Sequence, residues 1–179
     1  MDPFETLALP RRFGLDLKLA EARHLELSKT LHPDRYVGAP PNERRLALSR
    51  AVEVNEAWRA LRDPIKRAEA ILRLSGLEAE VGETREPKPS GAFLMEVMEA
   101  REALEEAKAS RDAARVEGVV REARAQLGDA ERALARAIDP VLDQGGGAAE
   151  LRAAIPLLGR LRYAARLLEE ARNAEDDLM

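Results

Sequence analysis

Between residues 116 and 141 the chain carries one unbroken apolar seam: Val116, Val120, Ala123, Leu127, Ala130, Leu134, Ala137 and Val141, spaced alternately four and three residues apart. Only an α-helix places such positions on one side, and a strand would scatter them across two faces. An alternation of four and three is also the heptad spacing of a helical hairpin or coiled coil, so a second helix must cover the seam. Small alanines within it imply close packing. The glycine-rich stretch from Asp143 to Gly147 then turns the chain back, which favours an intramolecular bundle over an extended dimer. Gly118 and Gly128 interrupt good helix formers, each weakening the helix by up to ~1 kcal/mol relative to Ala, a cost that tertiary packing must offset.

The rest of the chain repeats the helical theme. Aromatic residues make up only 3% of the 179 positions and cysteine is absent, so neither an aromatic-rich sheet nor a disulfide framework nor a thiolate metal site is expected. An all-α fold follows. Asp16 offers an N-cap to a helix carrying Leu19, Ala22, Leu27 and Leu31, and Pro33 terminates it. An exposed loop, Val37 to Pro41, leads to a second helix whose stripe of Ala47, Ala51, Val54, Trp58 and Leu61 should face the first in antiparallel packing. Asp63-Pro64 opens a shorter helix with Ile65, Ala68, Ile71 and Leu72, ending at Gly76. Residues 76–91, with two prolines and the charged run Glu83 to Lys88, lack any stripe and are expected to be a linker between domains over 1–75 and 92–179. Beyond it lie a helix from about Ala92 to Ala109, the seam helix, and a last helix with Leu158, Leu161, Ala165 and Leu168. Pro156 either kinks that last helix or marks its start.

Charge is divided unevenly. Residues 1–75 hold 14 Lys+Arg against 11 Asp+Glu, a net +3, and the remaining 15 against 22 give −7. An acidic C-terminal half disfavours nucleic acid, and two protein partners fit better. No signal segment or apolar run of membrane length is present, so the protein is expected in the cytoplasm with no membrane partner. The two histidines, His24 and His32, cannot assemble a metal site, and His24 is expected to be a half-buried structural residue. His32 beside Asp34 could exchange protons, but no nucleophile, phosphate loop or second carboxylate pair accompanies them. No catalytic residue, metal or cofactor is therefore assigned. In the helix after residue 91, Val97, Ala100, Leu104 and Ala107 suit a bundle interior. Leu94, Met95, Met98, Glu99, Glu102 and Glu106 run down another side, where adaptable methionines beside aligned carboxylates suit a partner's groove.

Several of these elements form a recognisable set. His32-Pro33-Asp34-Arg35 after a helix, a proline-containing loop, an antiparallel helix with Asn55-Glu56-Ala57-Trp58 and Leu61-Arg62, then Asp63-Pro64 and Arg67-Ala68-Glu69, resemble a J-domain over about residues 1–75. The N-terminal MDPFETLALP, the run Ile71 to Gly76, Phe93-Leu94-Met95-Glu96, Arg101-Glu102 and Leu161-Arg162-Tyr163 extend the likeness over nearly the whole chain to the HscB family, co-chaperones of iron-sulfur cluster assembly. The resemblance implies a J-domain and a C-terminal three-helix bundle. It implies that His32, Pro33 and Asp34, with Arg35, Arg23 and Lys29, dock on the DnaK-type chaperone HscA and stimulate its ATPase. It further implies that Leu94, Met95, Met98, Glu99, Glu102, Glu106 and Tyr163 bind the scaffold protein IscU. Leu31 stands where J-domains commonly have tyrosine. The lack of cysteine excludes the N-terminal metal-binding module of some eukaryotic relatives and agrees with a bacterial-type protein. Two other readings stay open: a J-domain protein serving a different client, and a helical oligomerisation module assembled through the 116–141 seam, with the tripeptide only a helix stop.

Overall fold

The computed structural model describes residues 1–81 and 90–178, all of whose regular structure is helical. Two compact units emerge, Met1–Glu78 and Ala79–Met179. Of the expected linker over 76–91, residues 82–89 lie outside the described residues.

The first unit begins with α1 (Pro3–Thr6), whose N-cap Asp2 accepts hydrogen bonds from the Phe4 and Glu5 amides. Asp16 caps α2 (Leu17–Thr30) in the same way, accepting from Lys18 and Leu19. A 3₁₀ turn over Pro33–Tyr36 follows, then α3 (Pro41–Arg62). Asp63 caps α4 (Pro64–Leu72) through the Ile65 and Lys66 amides, and a turn over Arg73–Leu77 ends the unit's regular structure. Each cap satisfies amide groups that a first helical turn leaves without intrahelical partners. The α2–α3 register is antiparallel. Leu31 lines one cleft with Ala47 and Leu48, Leu27 lines another with Arg50 and Val54, and His24 meets Asn55 and Trp58.

Burial in this unit departs from the expected stripe on α2. Leu19 and Ala22 are exposed, Leu27 and Leu31 only half-buried, and Ala20 is the one fully buried residue of the helix. α3 buries Ala47, Val54, Ala57 and Leu61, with Ala51 and Trp58 at the margin. The reason is the company these helices keep. A small core of Phe4, Leu7, Phe13, Leu61, Ala68, Ile71 and Leu72 lies along one side of α3, so α2 contributes a narrow strip. Arg67 is buried too, its guanidinium 4.8 Å above the Phe13 ring and donating to the Leu61 carbonyl at 2.6 Å.

The second unit is a bundle of α5 (Gly91–Ala109), α6 (Ala113–Asp143) and α8 (Ile155–Asp176), with the short α7 (Ala148–Leu151) in the return. α6 and α8 share the most extensive contact in the chain. Leu104 and Ala107 of α5, Val116, Val120 and Ala123 of α6, and Leu167, Leu168, Ala171 and Ala174 of α8 close one end of the core, which makes α6 antiparallel to both neighbours. The seam is therefore filled from within the chain. Its far end shifts: Leu134 and Ile138 are buried while Leu127, Ala130, Ala137 and Val141 are half-exposed, because a straight helix of 3.6 residues per turn drifts off a 3.5-residue repeat. Pro156 stands in the first turn of α8, where its missing N–H costs nothing.

The return from α6 is a Schellman turn. Gly145 adopts φ +71°, its amide donates to Leu142 O at 3.1 Å, and the Gly146 amide donates to Val141 O at 2.8 Å. A side chain at Gly146 would place its Cβ 2.6 Å from Val141 Cγ1.

Candidate functional site

Two exposed faces, one in each unit, hold the residues singled out from the sequence. In the first unit, α2 ends where Leu31 donates to the Leu27 carbonyl at 2.9 Å. His32 then adopts φ −61°, ψ 133°, the extended conformation that a following proline enforces. Its Nδ1 accepts a long hydrogen bond from the Asp34 amide at 3.4 Å, and its carbonyl accepts from the Arg35 amide at 3.0 Å. Asp34 Oδ2 lies 3.4 Å from the same Nδ1. Both side chains are exposed. A hydrogen bond of that length is a poor cap compared with the serine, asparagine or aspartate that helix starts prefer. The other ring nitrogen, Nε2, makes no hydrogen bond to a described residue.

The cations around the turn are arranged unequally. Lys29 and Arg35 are exposed and form no ion pair among the described residues, whereas Arg23 sits on the flank of α2 and is held by Glu26 at 3.1 Å. The outer side of α2, opposite Ala20, presents Lys18, Ala22, Leu25 and Lys29 at helical steps, with Leu25 50% exposed. Leu25 is a residue the sequence reading missed. Its signal was its phase with Lys18 and Lys29, legible only once Ala20 is known to face the core. His24 does the structural work expected of it: Nε2 is 2.9 Å from Asn55 Oδ1, and the ring stacks on Trp58 at 5.5 Å and 14°.

In the bundle, Ser90 caps α5 by accepting from the Phe93 amide at 3.3 Å. Phe93, Val97, Leu104 and Ala107 are buried and Ala100 half-buried. The opposite side of the same helix carries Leu94, Met95 and Met98, exposed by 38%, 57% and 56%, with Glu99, Glu102 and Glu106 along it. Among the described residues Glu99 and Glu102 form no ion pair, and Glu106 reaches Arg115 Nη2 only at 3.8 Å. Two successive unpaired carboxylates beside apolar side chains make a face that is sticky for a cationic, partly apolar partner. Tyr163 of α8 lies at the N-terminal end of α5, where its half-buried ring meets not the methionine-bearing side but the buried Phe93, edge-on at 6.1 Å and 78°, while Arg160 covers the Phe93 ring at 4.7 Å. Arg101 crosses to α8 and holds Glu170 by two hydrogen bonds of 3.1 and 2.8 Å. Phe93 continues the four-and-three spacing of Val97, Ala100, Leu104 and Ala107, so its anchoring role was legible. The Arg101–Glu170 pair, 69 residues apart, was not.

Among the described residues no group of three or more His, Asp or Glu side chains could hold a metal ion, and no helix is long and apolar enough to cross a membrane.

Comparison with known proteins places the chain among relatives of one kind. Residues 90–172 match the family model described as the HSCB C-terminal oligomerisation domain. The Co-chaperone protein HscB homolog of Burkholderia multivorans is 36% identical over 157 residues, 87% of this chain and 85% of that protein. That of Azoarcus sp. is 34% identical over 177 residues, 99% and 95% of the two chains. Among solved structures, the chaperone HscB from Vibrio cholerae superposes with a TM-score of 0.79 at 31% identity over 100% of both chains. The human co-chaperone protein HscB shares the fold with a TM-score of 0.80 at 22% identity, over 97% of this chain and 81% of that one.

Proposed function

Since the chain belongs to the HscB co-chaperone family of iron-sulfur cluster assembly, we propose that it brings the scaffold protein IscU to the DnaK-type chaperone HscA and stimulates HscA to hydrolyse ATP. The protein itself carries no catalytic step in this reading. It acts in the cytoplasm as an adaptor: a J-domain over 1–75 engages the chaperone, a segment over 76–91 links it to a bundle over 92–179, and the bundle holds the client.

The observation that carries the reading is the uncommitted chemistry of the turn. Among the described residues His32 and Asp34, both exposed, bond only to each other and to their own backbone, and too loosely for capping to require a histidine. A side chain that the fold does not need and that leaves an imidazole nitrogen open beside a carboxylate fits recognition by a partner. Lys29 and Arg35 add unpaired cations at the same end of α2, so the chaperone surface they meet is acidic. Pro33 sets the backbone of the turn, and Arg23, tied to Glu26, contributes less.

On the bundle, Leu94, Met95, Met98 and Tyr163 supply the apolar contact and Glu99, Glu102 and Glu106 the electrostatic one. Both alternative clients and IscU could exploit such a face, and direct binding separates them. In steady-state ATPase assays HscA should accelerate on adding this protein and further on adding IscU, and His32→Gln should abolish the acceleration while leaving IscU binding intact. Met98→Ala and Glu102→Ala should each weaken IscU binding about tenfold, as truncation at the centre of an interface does. An HscA rate unchanged by the wild-type protein would refute the chaperone reading, and IscU affinity indifferent to both α5 variants would refute the assigned face.

A further inference from the structure

Sulfur is placed selectively in this chain. Cysteine is absent, and the four methionines are Met1, Met95, Met98 and Met179. Among the described residues no methionine is buried, and both cores are built from Phe, Leu, Ile, Val and Ala side chains. Met95 and Met98 stand three residues apart, so they share one side of α5, with Glu99 and Glu102 each four residues beyond one of them. They are exposed by 57% and 56%. The two thioethers therefore combine two properties: an oxidant reaches them from solvent, and they lie at the apolar centre of the face proposed to hold the client. Leucine or valine in the same places would be inert to oxidants. With sulfur kept out of both described cores, oxidation alters the surface and spares the packing that holds the fold.

We propose that Met95 and Met98 are a reversible oxidation site, through which hydrogen peroxide turns off client binding by the α5 face. This inference rests on the adaptor reading of that face. At each residue a sulfur lone pair attacks one peroxide oxygen, an S–O bond forms as the O–O bond breaks, and the transferred oxygen passes its proton to the departing hydroxide, which leaves as water. Sulfur loses two electrons and the peroxide gains them. The product sulfoxide is a polar acceptor with no donor, set in an apolar contact whose neighbours, Glu99 and Glu102, already supply only acceptors. A client surface that meets the thioethers with apolar groups must then desolvate the new oxygens without pairing them. Reversal needs two thiols of a methionine sulfoxide reductase, which release the oxygen as water and close to a disulfide, with one enzyme for each sulfoxide epimer.

The test treats the full-length protein with hydrogen peroxide, locates the added oxygen by peptide mass spectrometry, and measures IscU binding by calorimetry. Oxygen uptake at Met95 and Met98 is expected with an unchanged helical circular dichroism signal, and IscU affinity should fall at least about tenfold, the scale of a polar group buried unpaired. Reductases of both stereospecificities should restore it, and bound IscU should slow oxidation at Met95 and Met98 but not at Met1. In a Met95→Leu, Met98→Leu variant, peroxide should leave whatever affinity the leucines confer unchanged, with Met1 and Met179 still present as controls. Untreated protein that fails to bind IscU overturns the adaptor reading and the switch together. Untreated protein that binds, with an oxidised and still folded form that binds equally well, overturns the switch alone. So do sulfurs at positions 95 and 98 that resist peroxide in the free protein, and a peroxide effect that persists in the leucine variant.

Discussion

Arg101 and Glu170 join α5 to α8 through two hydrogen bonds, Nε to Oε2 at 3.1 Å and Nη2 to Oε1 at 2.8 Å. The pair sits at the edge of the α5 face, one residue from Glu102. With its charge satisfied by α8, Arg101 does not neutralise Glu102, and the acidic character of the face is preserved. Both side chains are a little under half exposed, so the pair contributes orientation more than stability.

Breaking it should therefore separate binding from folding. Arg101→Ala is expected to cost about 1 kcal/mol or less in urea denaturation, while weakening IscU binding several-fold because α5 loses its tie to α8. Reversing the charges together, Arg101→Glu with Glu170→Arg, should recover most of both. A reversed pair that stays as weak as the single variant would show that Arg101 touches IscU itself.

The turn between α6 and α7 should tolerate no side chain at Gly146. Gly146→Ala brings its Cβ against Val141 Cγ1 and within 3.1 Å of the Val141 carbonyl oxygen, so the Schellman hydrogen bond must open. We expect a loss of at least about 2 kcal/mol by thermal or chemical denaturation. At Gly145 the left-handed φ alone is at stake, and Gly145→Ala should cost about 1 kcal/mol.

Gly118 behaves oppositely. A Cβ there meets only the tip of the flexible Arg121 side chain at 4.0 Å. Gly118→Ala should stabilise the bundle by about 0.5–1 kcal/mol through higher helix propensity. A denaturation midpoint that falls would mean the glycine serves a contact made only in a complex.

One carboxylate gives the bundle unit a pH signature. The Arg152 guanidinium donates two hydrogen bonds to Glu80, each 2.8 Å, and holds its carboxyl below the ordinary carboxylate range. A folded value below the unfolded one adds stability that is complete above the unfolded value and disappears as pH falls through the folded one. The difference in melting temperature between wild type and Glu80→Gln should thus hold steady near neutrality and shrink below about pH 4. A gap that persists in acid would place the effect in packing.

How far the sequence carries can be seen helix by helix. Asp16, Asp63 and Pro41 mark helix starts through local chemistry, capping an amide or fitting a first turn, and such signals need no distant partner. The α6 seam and the α5 alternation of interior and exterior residues are likewise local, since periodicity alone separates Val97 and Leu104 from Met98 and Glu102. On α2 the same reasoning erred, because Leu19, Leu25 and Leu27 offer several apolar phases and the choice of Ala20 came from the neighbouring core of Phe4, Phe13 and Leu61.

By itself the chain determined what depends on neighbours within a turn or two: an all-helical fold, its caps and stops, the His32-Pro33-Asp34 turn and the acidic methionine stripe. Tertiary structure alone decided what depends on residues brought together across tens of positions. It set Ile138 rather than Ala137 into the core, and tied Arg101 to Glu170 and Arg152 to Glu80. Helical period is a property of the backbone, but the relative rotation of packed helices arises from how side chains interlock, and that is written in no single segment.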